Sequence, residues 1–175
     1  MKRAEFEHTI RAAGGVLDVN EVLIIGSQAL HASVPGDLPA EASRSVEADI
    51  AAFEDVDGRM ADLIDGAIGE ASMFHETFGY YAEGVVSSTA VLPSGWRERL
   101  VRFQTPATAG VVAWCLEVHD LWLSKAVAGR QKDLEFCAAL KRAGLVRVPV
   151  LEERLPSIAI DDRVRSAVAA RIQGL

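Results

Sequence analysis

The run Val22-Leu23-Ile24-Ile25, followed at once by Gly26-Ser27, constrains this chain more than any other stretch. Four aliphatic residues without polar interruption suit a buried strand, so the pattern predicts a strand over 21–26. Ser27-Gln28-Ala29-Leu30-His31 has helix-forming character, so the strand is expected to end at a glycine and turn directly into a helix. The same run is the longest aliphatic stretch of the chain, far short of the ~20 apolar residues that span a bilayer. The 175 residues fit one domain, or one domain with a small helical appendage, and half of them are hydrophobic, enough to bury a core, which excludes a wholly disordered chain.

The remaining elements follow from periodicity and punctuation. Residues 3–13 read as an amphipathic helix stopped by Gly14-Gly15. The prolines and glycine of 34–43 predict a loop. Val46 to Phe53 is a second strand, with Val46, Ala48, Ile50 and Ala52 on one face and Glu47 and Asp49 on the other. A helix is expected over 59–68 between Gly58 and Gly69, a helical turn within 70–79, and a third strand over 80–86. Leu92 to Trp96 is a turn, and 99–103 and 111–118 are paired strands. After His119 the pattern is helical: a helix to Ala128 with Asp120 as its N-cap, another over 131–143, and two more over 150–155 and 162–173. The last has Val164, Val168 and Ile172 at spacing four, and either packs on the core or mediates self-association into a homo-oligomer. The fold class is therefore mixed α+β: a small mixed sheet flanked by helices over 1–118, followed by a C-terminal helical part over 119–175.

The formal net charge of −7 hides an asymmetry. Residues 1–96 carry 5 basic and 16 acidic side chains, and residues 97–175 carry 13 basic and 9 acidic ones. Overall acidity argues against tight general binding to duplex nucleic acid, but leaves room for contact between the basic half and one RNA end. Glu54, Asp55, Asp57, Asp62 and Asp65 read as solvated surface. Cys115 and Cys137 form no CxxC pair, so they read as small buried hydrophobes in a reducing compartment. Met1 to His8 contains no apolar segment of a secretory signal, so a cytoplasmic location is expected. His31 and His119 read as structural, and the four histidines show no metal-binding spacing. Trp96, Trp114 and Trp122 have apolar neighbours that suit a core; stacking on bases is the other use of such rings. Neither GxSxG, GxGxxG nor GxxxxGK[ST] occurs.

Three constellations could carry chemistry. Gly26 permits close backbone approach, and the N-terminus of a following helix suits a phosphate. Glu47 and Asp49 are two apart on a strand, so both carboxylates project to one side. Such like charges repel unless compensated, and a hard divalent cation, typically magnesium beside phosphates, compensates them. Glu83 in the third strand is the best third carboxylate for a two-metal arrangement. Glu70, His75 and Glu76 lie near that strand, and the last two could orient a substrate. Lys125, Arg130, Lys132 and Asp133 cluster at a helix–helix junction, where Arg gives forked contacts and Lys point charges to a triphosphate.

Gly26-Ser27-x-Ala29-Leu30 followed by a carboxylate-x-carboxylate strand resembles the signature of the nucleotidyltransferase superfamily. Asp120-Leu-x-x-Ser-Lys125-x-x-Ala-Gly-Arg130-x-Lys132-Asp133 resembles the downstream motif of abortive-infection type nucleotidyltransferase toxins. Ile68 to Glu70, His75 to Tyr81, Leu92 to Leu100 and Gly129 to Asp133 resemble stretches of a family of small bacterial nucleotidyltransferase-like proteins of unassigned function. The likeness covers residues 20–155.

The resemblance implies a magnesium-dependent transfer of a nucleotide from a nucleoside triphosphate to an RNA or protein acceptor, in a toxin partnered by an antitoxin. It makes Glu47, Asp49 and Glu83 metal ligands, gives Gly26, Ser27, Gln28, Arg130 and Lys132 to nucleotide binding, and adds Lys125 and Asp133 to the catalytic set. The sequence departs from the usual pattern in having Glu47 where the first acid is ordinarily Asp, and in the Pro-rich insertion of 34–43. A catalytically silent member of the fold that binds a nucleotide or a partner protein is the alternative these departures leave open.

Overall fold

The computed structural model describes residues 1–175. Five strands form one mixed sheet: β1 (Glu21–Ile24), β2 (Glu47–Ala51), β3 (Tyr81–Gly84), β4 (Val101–Phe103) and β5 (Val112–Cys115), in the order β3-β2-β1-β5-β4. β1 is central because Val22, Leu23 and Ile24 are aliphatic throughout and all buried. It runs parallel to β5 and antiparallel to β2; β2 runs parallel to β3, and β4 antiparallel to β5.

Helix α1 (Arg3–Leu17) packs on β1, β2 and β3 beside α4 (Arg59–Ile68), which covers β3. α1 does not stop at Gly14-Gly15; it continues to Leu17 and ends on Asp18 in the left-handed conformation. Gly14 serves packing instead, since a Cβ there would lie 2.5 Å from Val111 Cγ2. After β1 the chain makes a 3₁₀ turn, Ser27–Ala29, and the single-turn helix α2 (Leu30–Ser33). The stretch 34–43 is not all loop, because α3 (Ala40–Ser43) forms behind Pro39. α5 (Met73–Phe78) is capped by the Ser72 hydroxyl, which accepts from His75 N–H at 3.2 Å.

The chain then runs through α6 (Val118–Ala128), α7 (Gln131–Arg142), α8 (Val148–Arg154) and α9 (Asp162–Gly174). One continuous apolar core joins Phe6 and Ile10 of α1, the strands, Trp122 of α6, Leu140 of α7, Leu151 of α8, and Val168 and Ile172 of α9. Those last two residues bury the apolar side of α9 within its own chain. Trp122 is a core residue that donates its indole N–H to Cys137 O at 2.9 Å, while Trp96 and Trp114 pack partly buried against the core. Both cysteines are buried and free. No helix is long and apolar enough to cross a membrane.

Asp120 is not the N-cap of α6. Glu117 holds that position and accepts from His119 N–H at 3.1 Å. Asp120 lies one turn further in, fully buried, where Arg99 grips it with two bonds of 2.8 and 3.2 Å and Arg154 donates at 2.8 Å. A buried carboxylate must be paired, and two guanidiniums from β4's entry and α8 do so. His119 bridges Glu117 through Nδ1 at 2.6 Å and accepts Arg147 N–H at Nε2 at 3.0 Å, so its ring is satisfied. The other structural histidine, His31, is buried and stacked on Phe6, with Nδ1 left without a partner.

Candidate functional site

The site begins with strand register. β2 and β3 pair with Asp49 opposite Glu83 and Glu47 opposite Tyr81. Residues directly opposite on neighbouring strands share a face, so Glu83 joins the side of the sheet already occupied by Glu47 and Asp49. One carboxylate oxygen from each of the three lies within 4.8 Å of the other two. Asp49 is held above its normal proton affinity by burial and by Glu47, against the opposing pull of Lys125 and Lys132. Burial, then the charges of Asp49 and Glu47, raise Glu83 as well. Carboxylates this close repel, and a proton or a cation held among them relieves the repulsion. Tyr81 donates its hydroxyl to Glu47 Oε2 at 3.0 Å; burial and that bond push the phenol up to about 12.

Gly26 meets this cluster from β1's end. An ideal Cβ at Gly26 would lie 1.5 Å from Asp49 Oδ2, so the missing side chain leaves the space that Asp49 fills. That is the close approach Gly26 provides, to a carboxylate of its own chain. The helix after it is a 3₁₀ turn plus one α-turn, so few aligned peptides stand behind Ser27, and the charge attracting an anion must come from side chains.

Those side chains come from the α6–α7 junction. Gly129 closes α6 with φ of 65°, a left-handed value that favours glycine, and turns the chain so that Lys125 and Asp133 meet. Asp133 is 2% exposed and lies 3.6 Å from Lys125 Nζ, while Arg130 forks onto it at 2.6 and 3.3 Å. Lys132 makes no ion pair. A cavity of about 370 Å³ is lined by Glu47, Asp49 and Glu83 of the sheet, by Lys125, Arg130 and Lys132 of the α6–α7 junction, and by the aliphatic Ile25, Val85, Val91 and Val127. A second cavity of about 380 Å³ adjoins it through Glu47, Lys125 and Lys132 and reaches Ser27, Arg44, Ser45 and Asp133.

The chain matches one family model over residues 5–168, described as nucleotidyltransferase of unknown function (DUF6036). It belongs to this nucleotidyltransferase family. No curated protein and no solved structure matches the chain at a significant level.

Within this family member, the structure brings Glu47, Asp49, Glu83, Lys125, Arg130 and Lys132 to one cavity, and Ser27 and Asp133 to its neighbour. Gln28 does not reach either space. It is fully buried, with Nε2 donating to Ser27 Oγ at 3.3 Å and to Ser45 O at 3.4 Å. Asp133 sits behind the cations it holds and takes no part in the carboxylate trio. His75 accepts Ala71 N–H at Nδ1 and lies against the Tyr81 ring, turned to the fold rather than to either cavity.

Several site residues escape sequence reasoning. Arg44 and Ser45 come from the end of the Pro-rich insertion, which no motif marks. Asp65 is not merely solvated surface: it accepts Gly84 N–H at 2.6 Å, fixing β3 where Glu83 leaves it. With Glu47, Glu70, Tyr81 and Glu83 it lines a third cavity of about 320 Å³. Its only sequence signal is its place on the exposed side of α4, which also suits a solvated acid.

Proposed function

We propose that this protein is a magnesium-dependent nucleotidyltransferase that moves a nucleotidyl group from a nucleoside triphosphate to a hydroxyl of an RNA or protein acceptor. The observation that carries the reading is a single cavity lined by three strand carboxylates and three cations of the α6–α7 junction in a chain of this family. The carboxylate trio fits a hard divalent cation, since its donors are all oxygen, lie within 4.8 Å of one another, and include two acids whose proton affinity is raised by burial first and by neighbouring carboxylates as well. Magnesium bound by Glu47, Asp49 and Glu83 would neutralise phosphate charge and polarise the reacting oxygens.

The chain's own groups do the rest. Ser27, Arg44, Lys125 and Lys132 hold the outer phosphates in the second cavity, and the aliphatic side of the first takes the nucleoside. The acceptor hydroxyl attacks the α-phosphorus; the bond from that phosphorus to the bridging oxygen breaks, and pyrophosphate leaves toward Lys125 and Lys132. The hydroxyl proton passes to Glu83, the most exposed of the three acids. Incubation with each labelled triphosphate, magnesium and total RNA or cell lysate tests the reading. Label transfer that disappears in Asp49→Asn and Glu83→Gln supports it; no transfer from any of the four triphosphates overturns it.

A second reading, binding without transfer, is favoured by one observation: Asp133 already neutralises much of the charge on Lys125 and Arg130. Calorimetric binding of a triphosphate without turnover supports that reading, and robust transfer rejects it. A toxin restrained by an antitoxin is the finer form of the first reading. It predicts growth arrest on expression in bacteria that Asp49→Asn relieves.

A further inference from the structure

The least economical polar group near the site is the Gln28 carboxamide. Gln28 is fully buried, and its Oε1 has no hydrogen-bond partner. A buried amide oxygen without a donor costs stability, and a methionine of similar length would avoid that cost. Flipping the amide does not help, because Ser45 O is an acceptor only and must face the NH₂ group. The orientation is therefore set by the Ser45 carbonyl, and the same Nε2 also donates to Ser27 Oγ.

That arrangement has a consequence for Ser27. Its oxygen accepts from Gln28, so the hydroxyl proton is left to point elsewhere, and Ser27 lines the cavity shared with Arg44, Lys125 and Lys132. Ser45, the other group held by Gln28, in turn accepts Glu47 N–H at its Oγ at 3.1 Å. One buried amide thus ties the serine turn after β1 to the first acid of β2.

We propose that Gln28 is a positioning residue, which makes Ser27 a hydrogen-bond donor to an anionic phosphate oxygen and locks that donor to the strand carrying Glu47. This rests on the triphosphate reading of the cavity given above. Gln28 touches no substrate; it acts through Ser27.

The test is a double-mutant cycle read by calorimetric binding of ribonucleoside triphosphates with magnesium chloride, alongside thermal melting. Gln28→Met should weaken binding about tenfold, the loss expected for one hydrogen bond to a charged group. Its melting temperature should equal or exceed that of the wild type, because an unpartnered oxygen is removed. Ser27→Ala should weaken binding to a similar extent, and adding Gln28→Met to it should cost nothing further. Equal losses from Gln28→Met in both backgrounds, or a loss that follows a lowered melting temperature, overturn the inference while leaving the triphosphate reading intact. Unaltered binding in Ser27→Ala overturns it too. A wild-type protein that binds none of the triphosphates removes the reading beneath it, and the inference falls with it.

Discussion

Single residues decide whether the carboxylate cluster forms. Gly26 leaves room for Asp49, so Gly26→Ala drives a methyl group into the position of Asp49 Oδ2. If the trio holds a divalent cation, displacing Asp49 in this way is expected to lower its affinity about 10–100-fold, as loss of supporting contacts does elsewhere, and titration calorimetry with magnesium or manganese reads it. Asp49 itself lowers stability when ionised. Its proton affinity is raised by burial first and by Glu47 next, so the folded state holds the proton more tightly than the unfolded chain. The associated stability is present at acid pH and is lost as pH rises through the raised value. Asp49→Asn removes that loss. Without divalent cations the variant should melt higher than the wild type near pH 8, with the gap closing toward pH 4. A variant that melts lower at pH 8 contradicts the burial argument.

At the scale of elements, the junction of β5 and α6 rests on buried charge rather than on a cap alone. Asp120 binds Arg99 and Arg154, and Glu117 binds Arg154 and His119. Asp120→Ala strands the Arg99 guanidinium and leaves Arg154 to Glu117 alone, and should cost about 3–5 kcal/mol in denaturant unfolding. Glu117 gives this junction its own pH signature. Burial alone raises a carboxyl, but hydrogen bonds from His119 and Arg154 outweigh it and hold Glu117 at about 2. A depressed acid contributes stability above its unfolded value near 4.5 and loses it as pH falls through the folded value. Wild type should therefore lose on the order of 3 kcal/mol between about pH 4.5 and 2, a loss that Glu117→Gln abolishes. The same elements show what periodicity could find. Helices over 59–68 and 131–142 match expectation because apolar spacing and flanking glycines mark their ends. Asp120 was legible as acidic and near a helix start, a description that fits a cap and a buried ion-pair partner equally. The stop at Gly14 failed because a glycine that packs against Val111 looks the same in sequence as one that ends a helix.

Across the whole molecule, the charge asymmetry becomes a spatial one. The acidic half supplies Glu47, Asp49 and Glu83, and the basic half supplies Lys125, Arg130 and Lys132 to the same cavity. If the cavity takes magnesium, binding to the folded state alone stabilises by mass action, by about 2.7 kcal/mol at a hundredfold excess over Kd. For a chain of this size that is a rise of roughly 5–10 °C in melting temperature. Thermal melts across a magnesium series should show the rise in the wild type and none in Asp49→Asn; a flat wild-type series counts against the metal site.

The sequence by itself determined most of the elements, the mixed α+β class and the family, because these depend on local patterns: the aliphatic run before Gly26, the two acids two residues apart, and the string from Lys125 to Asp133. It also marked Glu83 as the best candidate for a third carboxylate, on no more than its place in a strand. The tertiary structure alone decided that β3 pairs with β2 in the register that sets Glu83 opposite Asp49, that Arg44 and Asp65 border the site, and that Gln28 is buried behind Ser27. Register and burial come from contacts between residues tens of positions apart. No period within a single segment carries that information.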